Sequence, residues 1–513
     1  MPKLKFDTLK LDAANPNGPT NPGVETRARV LRQNIQSLEI LPPAALCRQL
    51  HATLVLINQQ PLADKSRLAV LDLHYDALMP LFDALSATQL RPFPPTPEPT
   101  QSAPSIFHAA LKELGRGYKW LLLQAVQATC TLYGKKALLH RVLFRAMATQ
   151  CSAILHQLKA YRPPVSAELA ELYRLYDLAC RLELSEQAVD SFGTLYSTKL
   201  SISALFKATM LLLAVDPFHL SPGQHDQVMH KALELQHLLF LAEPDPKENP
   251  TAVFVIDLAQ DRWPEAWSQS LPVTLQPVYL HVLRFVQSLE IRLAHMHLSY
   301  SPAHTEKKML LRTLLARFRP SPRQSERYTN LQTLEIVTGL DAVWLALAGR
   351  LDGHTLPASR SPKIRGQVIN ASSQGGRVQV TTERPWGCDV GALLACYWSD
   401  PLSGQSTWRA GRINWLKENH AQQFEMGIEF FDPGLTAVWV SDDLGATPRR
   451  HLALYHAPDL SRFLPPSLWL HAWGYSAGQQ VTLHTSTRHK QVTLVDLRLL
   501  SSDHQLFQIL PQD

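Results

Sequence analysis

The sequence predicts an α+β multidomain protein in which an all-α helical N-terminal region precedes a β-rich C-terminal part. The first observation is an apolar periodicity near 3.6 residues from about position 25 to 319. The second is a change to a period of two beyond about position 349, which is typical of strands with one buried face. At 513 residues the chain is long enough for two or three domains.

Residues 1–24 are interpreted as an N-terminal extension. Their first dozen positions alternate between apolar and polar, which is compatible with either a strand or a docking peptide. The helical region spans residues 25–319 and shows the i, i+3, i+4, i+7 pattern repeatedly. One instance is residues 169–176, which follow a double proline and an expected N-cap at Ser166. An array of helical hairpins is one arrangement that this pattern allows. The region is expected to bind a partner protein.

The β-rich part shows alternation in several separate runs. Val378 and Val380 alternate after a pair of glycines, and residues 408–415 and 424–430 predict two strands joined by a polar turn. The pattern then recurs after Pro465 at 468–473, 481–484, 492–500 and 506–510. Because this tail is too long for one extra strand, residues 441–513 are expected to form a small C-terminal β subdomain.

Composition and charge fit a soluble cytoplasmic protein. Hydrophobic residues make up 45% and charged residues 18%, and the net charge of +6 does not require a nucleic-acid partner. The six cysteines form no Cys-x-x-Cys pair and are expected to be reduced. The longest apolar runs fall far short of the roughly 20 residues of a membrane span, and no signal-peptide core is found.

Motifs that would indicate catalysis or a metal are not found in the sequence. It has no Gly-x-Ser-x-Gly elbow, and its 21 histidines are not grouped at ligand spacing. We therefore expect a protein that is not an enzyme and that needs no cofactor or metal. Four tryptophans are interpreted as residues of the barrel core rather than as a base-stacking platform, namely Trp386, Trp398, Trp408 and Trp415.

Two separated motifs stand where the helical pattern gives way to strands. Arg323 and Arg327 lie four apart, just after two prolines that should end the preceding helix. Asn370, Ser372 and Gly375 form an Asn-x-Ser-x-x-Gly pattern at a strand end. Arginine can pair two-point with phosphate or with the O6/N7 edge of guanine. Gly375 is expected to supply a positive φ and a close backbone approach to a ligand.

This order of motifs, with the closing strand at 426–430, resembles the signature of the bacterial PilZ domain. The resemblance implies a six-stranded antiparallel β-barrel over residues 320–440 that binds cyclic diguanylate. Carried over by motif position, it implicates Arg323, Arg327, Asn370, Ser372 and Gly375 as ligand-binding residues.

One departure from the family pattern concerns the length between the two motifs. Asn370 lies 43 positions after Arg327, and the extra length contains a helix-like run at 339–344 and a polar loop at 350–362. Arg360 and Arg365 are nearer to Asn370 in sequence, although they are five apart. These two residues are therefore reserve candidates for the arginine pair.

The resemblance implies a cytoplasmic receptor for cyclic diguanylate that regulates motility, biofilm formation or secretion. The segment that carries Arg323 and Arg327 is called the arginine connector here. Ligand would bridge this connector to the Asn370–Gly375 turn and change how the helical region binds its partner protein. The alternative is a non-enzymatic scaffold whose PilZ-fold barrel binds no nucleotide.

Overall fold

A computed structural model gives the fold of the chain. It describes residues 11–16, 23–87, 103–126, 136–189, 199–242, 252–268, 276–296, 302–318, 327, 329, 332–349, 363–372, 374–380, 388–399, 406–419, 423–431, 435–441, 450–458, 465–472, 474–485, 489–500 and 504–511. The chain divides into two compact units. One unit is Met1–Pro217 with His225–Phe285, and the other is Phe218–Gln224 with Val286–Asp513.

The first unit is mainly helical, as predicted. Its helices are α1 (Ala28–Leu38), α2 (Pro43–Gln59), α3 (Asp64–Leu78), α4 (Leu81–Ala87), α5 (Ala103–Val126), α6 (Lys136–Lys159), α7 (Ser166–Arg181), α8 (Ile202–Ala214) and α9 (Pro222–Glu234), the last shared with the second unit. α5 packs against α2, α3 and α6, and α6 also contacts α7 and α8. α6 is central, since buried residues occur all round it. Within the described part of the chain, no helix has the length and apolarity needed to cross a membrane.

The start of α7 shows how a local signal sets a helix boundary. The helix predicted at 169–176 is confirmed, but the N-cap is Val165 and Ser166 is the first helical residue. Val165 donates its backbone N–H to the Glu168 carboxylate at 3.3 Å, which satisfies one donor at the open helix end.

Short strands also occur in this unit, and the sequence analysis did not predict them. They are β1 (Ala188–Val189), β2 (Leu200–Ser201), β3 (Phe240–Ala242), β4 (Val253–Asp257), β5 (Glu265–Ala266) and β6 (Pro277–His281). β1 pairs with β2, and the other four form an antiparallel sheet in the order β3-β6-β4-β5. β4 is buried at every position, and such a run cannot be told from a buried helix segment by periodicity alone.

The N-terminal segment 11–16 docks on the helices. Asp12 donates its backbone N–H to Glu171 in α7 at 2.5 Å, and its carboxylate lies 3.1 Å from the Arg116 guanidinium in α5. Ala14 is buried and donates its backbone N–H to the Arg116 carbonyl at 3.1 Å. The alternating stretch itself, apart from its last two residues, lies outside the described residues, so the choice between strand and docking peptide stays open for it.

The second unit contains the predicted six-stranded antiparallel barrel. Helices α10 (Leu283–His295, shared with the first unit) and α11 (Pro302–Phe318) precede it, and α12 (Leu340–Leu347) follows its first strand. The strands are β7 (Thr333–Thr338), β8 (Ile364–Ser372), β9 (Gly375–Val380), β10 (Leu393–Ser399), β11 (Ser406–Glu418) and β12 (Phe424–Phe430). They close in the order β10-β11-β12-β9-β8-β7. We call this the first barrel.

The C-terminal tail forms a second closed barrel, which is more than the small β unit that was expected. Its strands are β13 (Leu435–Ser441), β14 (Arg450–His456), β15 (Ser467–His471), β16 (Gln480–His484), β17 (His489–Leu500) and β18 (His504–Pro511). Their order is β13-β14-β15-β18-β17-β16. β13 precedes the expected start of this subdomain at 441, yet it pairs with β14 and β16. α11 packs against β17.

Helix α12 lies between the two barrels and contacts both. It packs against β7, β10 and β11 of the first barrel and against β13, β14 and β15 of the second. Trp344 donates its indole N–H to the Val438 carbonyl at 2.7 Å, and its ring lies 4.9 Å from that of Trp439. The helix, Leu393 of the first barrel and Trp469 of the second belong to one hydrophobic cluster. The two barrels therefore share part of their packing.

Candidate functional site

The hairpin between β8 and β9 brings together three of the predicted site residues. In its register Asn370 lies opposite Arg377, and Ser372 lies opposite Gly375. The Ser372 hydroxyl is 3.4 Å from the Gly375 carbonyl, to which it donates a hydrogen bond. A register shift between Val368 and Asn370 marks a bulge just before the motif. The Asn-x-Ser-x-x-Gly spacing thus corresponds to one compact turn at an end of the first barrel.

Asn370 faces outward from the barrel with an unsatisfied acceptor. Val368 and Val378 are fully buried and face the interior, while Asn370 and its partner Arg377 occupy the outer face. The Asn370 side-chain oxygen is buried and has no hydrogen-bond partner among the residues that the structure describes. Since buried polar atoms are normally paired, this oxygen is suited to accept a hydrogen bond from a ligand.

Gly375 is required for a different reason than expected. It is not among the described glycines with a positive φ, so the expectation of a left-handed conformation is wrong. A Cβ at this position would lie 2.2 Å from the Ile428 carbonyl oxygen of β12. The close backbone approach that Gly375 permits is therefore to its neighbouring strand, and it holds the hairpin against β12.

The predicted arginine pair is only partly within the described residues. Arg323 and Arg360 lie outside them, and Arg327 is exposed in the segment between α11 and β7. Val368 donates its backbone N–H to the Gln332 carbonyl at 2.9 Å, which fixes the end of this segment beside β8. β7 is antiparallel to β8, so the chain before Gln332 comes from the direction in which β8 runs toward Asn370.

The reach of this segment can be bounded from chain geometry. Arg327 is five residues before Gln332, and five extended residues span at most about 17 Å. Asn370 is two positions beyond Val368, or about 7 Å along the strand. Gln332, where the described chain resumes before β7, thus lies beside the part of β8 that leads to Asn370, and the length of chain back to Arg327 does not prevent that side chain from reaching the hairpin.

The reserve candidate Arg365 lies elsewhere on the same strand. It is exposed and lies opposite Glu335 of β7. Five strand positions separate it from Asn370, which corresponds to about 17 Å. The structure therefore does not bring Arg365 to the hairpin.

Two further arginines lie on the outer face near the hairpin, and the sequence analysis did not identify them. Arg377 pairs with Glu425 at 2.6 Å, and Arg412 pairs with Glu429 at 2.9 Å. Glu429 is itself the register partner of Gly375. The two arginine side chains are 40% and 37% exposed, so they are accessible to a ligand in solution. The alternation of β9 could have assigned Arg377 to the face of Asn370.

The tryptophans do not share one environment. Trp398 is buried in the barrel core, as predicted, with its ring 5.2 Å from that of Phe430. Trp408 packs against the cluster around α12, outside the barrel, and Trp415 lies on the outer face over Gly427. The prediction that these two belong to the barrel core is wrong, and Trp386 lies outside the described residues.

The described cysteines are mostly buried. Cys47, Cys151, Cys388 and Cys396 are buried free thiols, whereas Cys180 is exposed. Burial raises the pKa of Cys47 and of Cys151 to about 12, which keeps these thiols protonated near neutral pH.

Comparison with known proteins adds information on the other half of the molecule. Residues 29–245 match the family model described as the N-terminal domain of the cyclic-di-GMP receptor FimW. This match runs from α1 to just beyond β3, covers less than half of the chain and ends before both barrels. No curated protein matches the chain. The match does not extend to a PilZ domain in the C-terminal part, so the resemblance of residues 320–440 to that domain stays a prediction. By its helical N-terminal region, the chain is similar to a cyclic-di-GMP receptor family.

Proposed function

We propose that the protein is a receptor for cyclic diguanylate and that the first barrel holds the nucleotide at the β8–β9 hairpin. The observation that carries the proposal is the meeting of Asn370, Ser372 and Gly375 at one hairpin, on the strand that pairs with the start of β7. The family match of residues 29–245 supports the same ligand from a separate part of the chain.

The chemical groups of cyclic diguanylate match the side chains of Arg323, Arg327 and Asn370. Cyclic diguanylate carries two phosphates and two guanines. The guanidinium groups of Arg323 and Arg327 would pair with phosphate or with the O6/N7 edge of guanine, and lysine could replace only their charge. The orphaned oxygen of Asn370 would accept a hydrogen bond from a guanine N–H.

Binding would act through the connector. The connector joins α11, which packs against the second barrel, to β7 of the first barrel. A ligand held between connector and hairpin would order the connector and change what the helical region presents to a partner protein. Such a change requires the ligand to bind one arrangement more tightly than the other. The regulation of motility, biofilm formation or secretion is the expected output.

Calorimetric titration with cyclic diguanylate tests the proposal. The wild-type protein should bind, and the Arg323→Ala/Arg327→Ala double variant should bind at least about tenfold more weakly, since each charge-assisted contact contributes about 1–3 kcal/mol. Arg365→Ala is the matched control, because it removes an exposed arginine from the far part of β8 and should leave affinity unchanged.

Three results would contradict the proposal in different ways. No binding by the wild type would favour the scaffold alternative. Equal binding by the double variant would remove the arginine pair from the site. Loss of binding in Arg365→Ala alone would move the site to the reserve position.

A further inference from the structure

Trp415 lies flat on the outer surface of the first barrel. It is the register partner of Gly427, whose neighbours Met426 and Ile428 are buried and face the interior. A Cβ on Gly427 would lie 1.9 Å from the indole nitrogen and 2.4–2.5 Å from two other indole atoms. The ring of Trp415 therefore extends from β11 across the backbone of β12 and rests one face on this glycine. The side chain is partly exposed.

The indole is in line with the hairpin residues. Successive register partners across the barrel are Asn370 on β8, Arg377 on β9, Gly427 on β12 and Trp415 on β11. Neighbouring strands are about 4.8 Å apart, so this outer row spans about 14 Å. The side chain of an asparagine, a guanidinium and an aromatic ring thus follow one another on the outer face of the barrel.

The guanidinium in the middle of the row is held by an ion pair and is still partly open to solvent. Both the Nε and an Nη of Arg377 bond to one oxygen of Glu425, at 3.2 and 2.6 Å. The Arg377 side chain is 40% exposed and that of Glu425 only 17%, so Glu425 can stay in place while the remaining guanidinium N–H groups are open to a phosphate or a guanine edge. The neighbouring pair Arg412–Glu429 borders the row on the hairpin side.

We propose that Trp415 and Arg377 extend the nucleotide site into a purine platform on the outer face of β9, β12 and β11. One guanine stacks on the outward face of Trp415, and Arg377 bonds to the same base or to the phosphate beside it. This inference rests on the proposed function, since it assigns further contacts to the same ligand. Aromatic stacking is tolerant of base identity, so Trp415 would add affinity and Arg377 would add preference for guanine.

The test combines three substitutions with two readouts. In titrations with cyclic diguanylate, Trp415→Leu should weaken binding about tenfold, while Trp415→Phe, which keeps a ring, should stay within about threefold of wild type. Arg377→Gln should also weaken binding about tenfold. Tyr397→Leu is the matched control, because Tyr397 is a 43% exposed aromatic on β10 of the same barrel but outside the row, and it should bind like wild type.

Tryptophan fluorescence provides a readout that a purely structural role would not change. Ligand should quench part of the emission of the 11 tryptophans, and this quenching should be lost in Trp415→Phe although calorimetry still shows binding. Thermal unfolding identifies any variant that fails to fold. If Trp415→Leu fails to fold, the test rests on the loss of quenching in Trp415→Phe and on the affinity of Arg377→Gln.

The outcomes separate this inference from the function on which it rests. If the wild type binds, the Arg323/Arg327 double variant does not, and both Trp415→Leu and Arg377→Gln bind like wild type, the platform is wrong and the receptor function stands. If the wild type does not bind cyclic diguanylate, both are wrong.

Discussion

The helical unit contains an ion pair that is buried on both sides, whereas the outer face of the first barrel carries ion pairs that are partly exposed. In the helices, Lys119 and Glu171 meet at 2.7 Å with side chains only 4% and 10% exposed. On the first barrel, Arg377 and Arg412 form ion pairs that are 40% and 37% exposed on the arginine side. A buried pair is fixed by the fold around it, whereas an exposed pair can exchange one partner for a ligand. The comparison indicates that the Lys119–Glu171 pair serves the structure of the helical unit, whereas Arg377 and Arg412 are accessible for recognition.

The largest effect should come from breaking a buried pair in the helical unit. Lys119→Met would leave Glu171 charged and buried, at a cost of about 3–5 kcal/mol in the free energy of unfolding. Glu171 also accepts a hydrogen bond from the Asp12 backbone N–H. In the variant, the N-terminal segment would therefore be bonded to a carboxylate that has lost its Lys119 partner. Urea unfolding followed by far-ultraviolet circular dichroism measures the loss.

The double variant Lys119→Met/Glu171→Leu is the control for this prediction. It removes both charges, and most of the lost stability should return. A single variant as stable as wild type would show that the pair is not structural.

A backbone contact in the barrel unit should give the next largest effect. Gly375→Ala places a methyl group 2.2 Å from a backbone oxygen that cannot easily move, so we expect a loss of up to about 3 kcal/mol. Gly376→Ala is the matched control, since its nearest neighbour would be 3.4 Å away. Urea unfolding followed by tryptophan fluorescence should show a clear difference, and equal stability of the two variants would contradict the assigned contact.

Acid should weaken the helical unit through its buried histidines. Burial lowers the pKa of His74 to about 4 and that of His156 to about 3, compared with about 6.5 in an unfolded chain. As the pH falls below 6.5, these two histidines become protonated in the unfolded state but stay neutral in the native state. The free energy of unfolding that the protein has above that pH is therefore progressively lost. Between pH 7.5 and 5, His74 alone should contribute a loss of about 2 kcal/mol.

The variant His74→Leu isolates this contribution. Its unfolding free energy should change less between pH 7.5 and 5 than that of the wild type, whatever its stability at neutral pH. An identical pH dependence in both proteins would contradict the lowered pKa of His74.

The smallest effect should come from an exposed pair on the barrel. Arg412→Ala should change the free energy of unfolding by less than about 1 kcal/mol, because both partners are more than one third exposed. A loss above about 2 kcal/mol in chemical unfolding would mean that this pair is structural after all, and the contrast between the units would disappear.

Much of the barrel could be predicted because its signals are local. The spacing of Asn370, Ser372 and Gly375 predicted a turn, and the alternation at 424–430 predicted β12, both within a few residues. β7 was not predicted, since it is a six-residue strand followed almost at once by a helix. That strand and α12 occupy part of the long gap between the two motifs.

The surface beside the hairpin depends on register, which the sequence does not reveal. Ile413 and Trp415 are two apart, so simple alternation puts both side chains on the same face. A register shift between them turns Ile413 inward and Trp415 outward. The partnership of Arg377 with Glu425 likewise joins residues 48 positions apart. These features arise from strand pairing and could not be predicted from local pattern.

The position of α12 between the two barrels limits how they can be separated during evolution. Trp344 and its neighbours pack against Leu454 and Trp469 of the second barrel. Separating the two barrels would therefore expose apolar surface on each of them. Recombination or proteolysis that separates the two barrels should therefore give fragments that aggregate through this exposed apolar surface. The barrel pair should therefore be gained, lost and exchanged as one block during evolution.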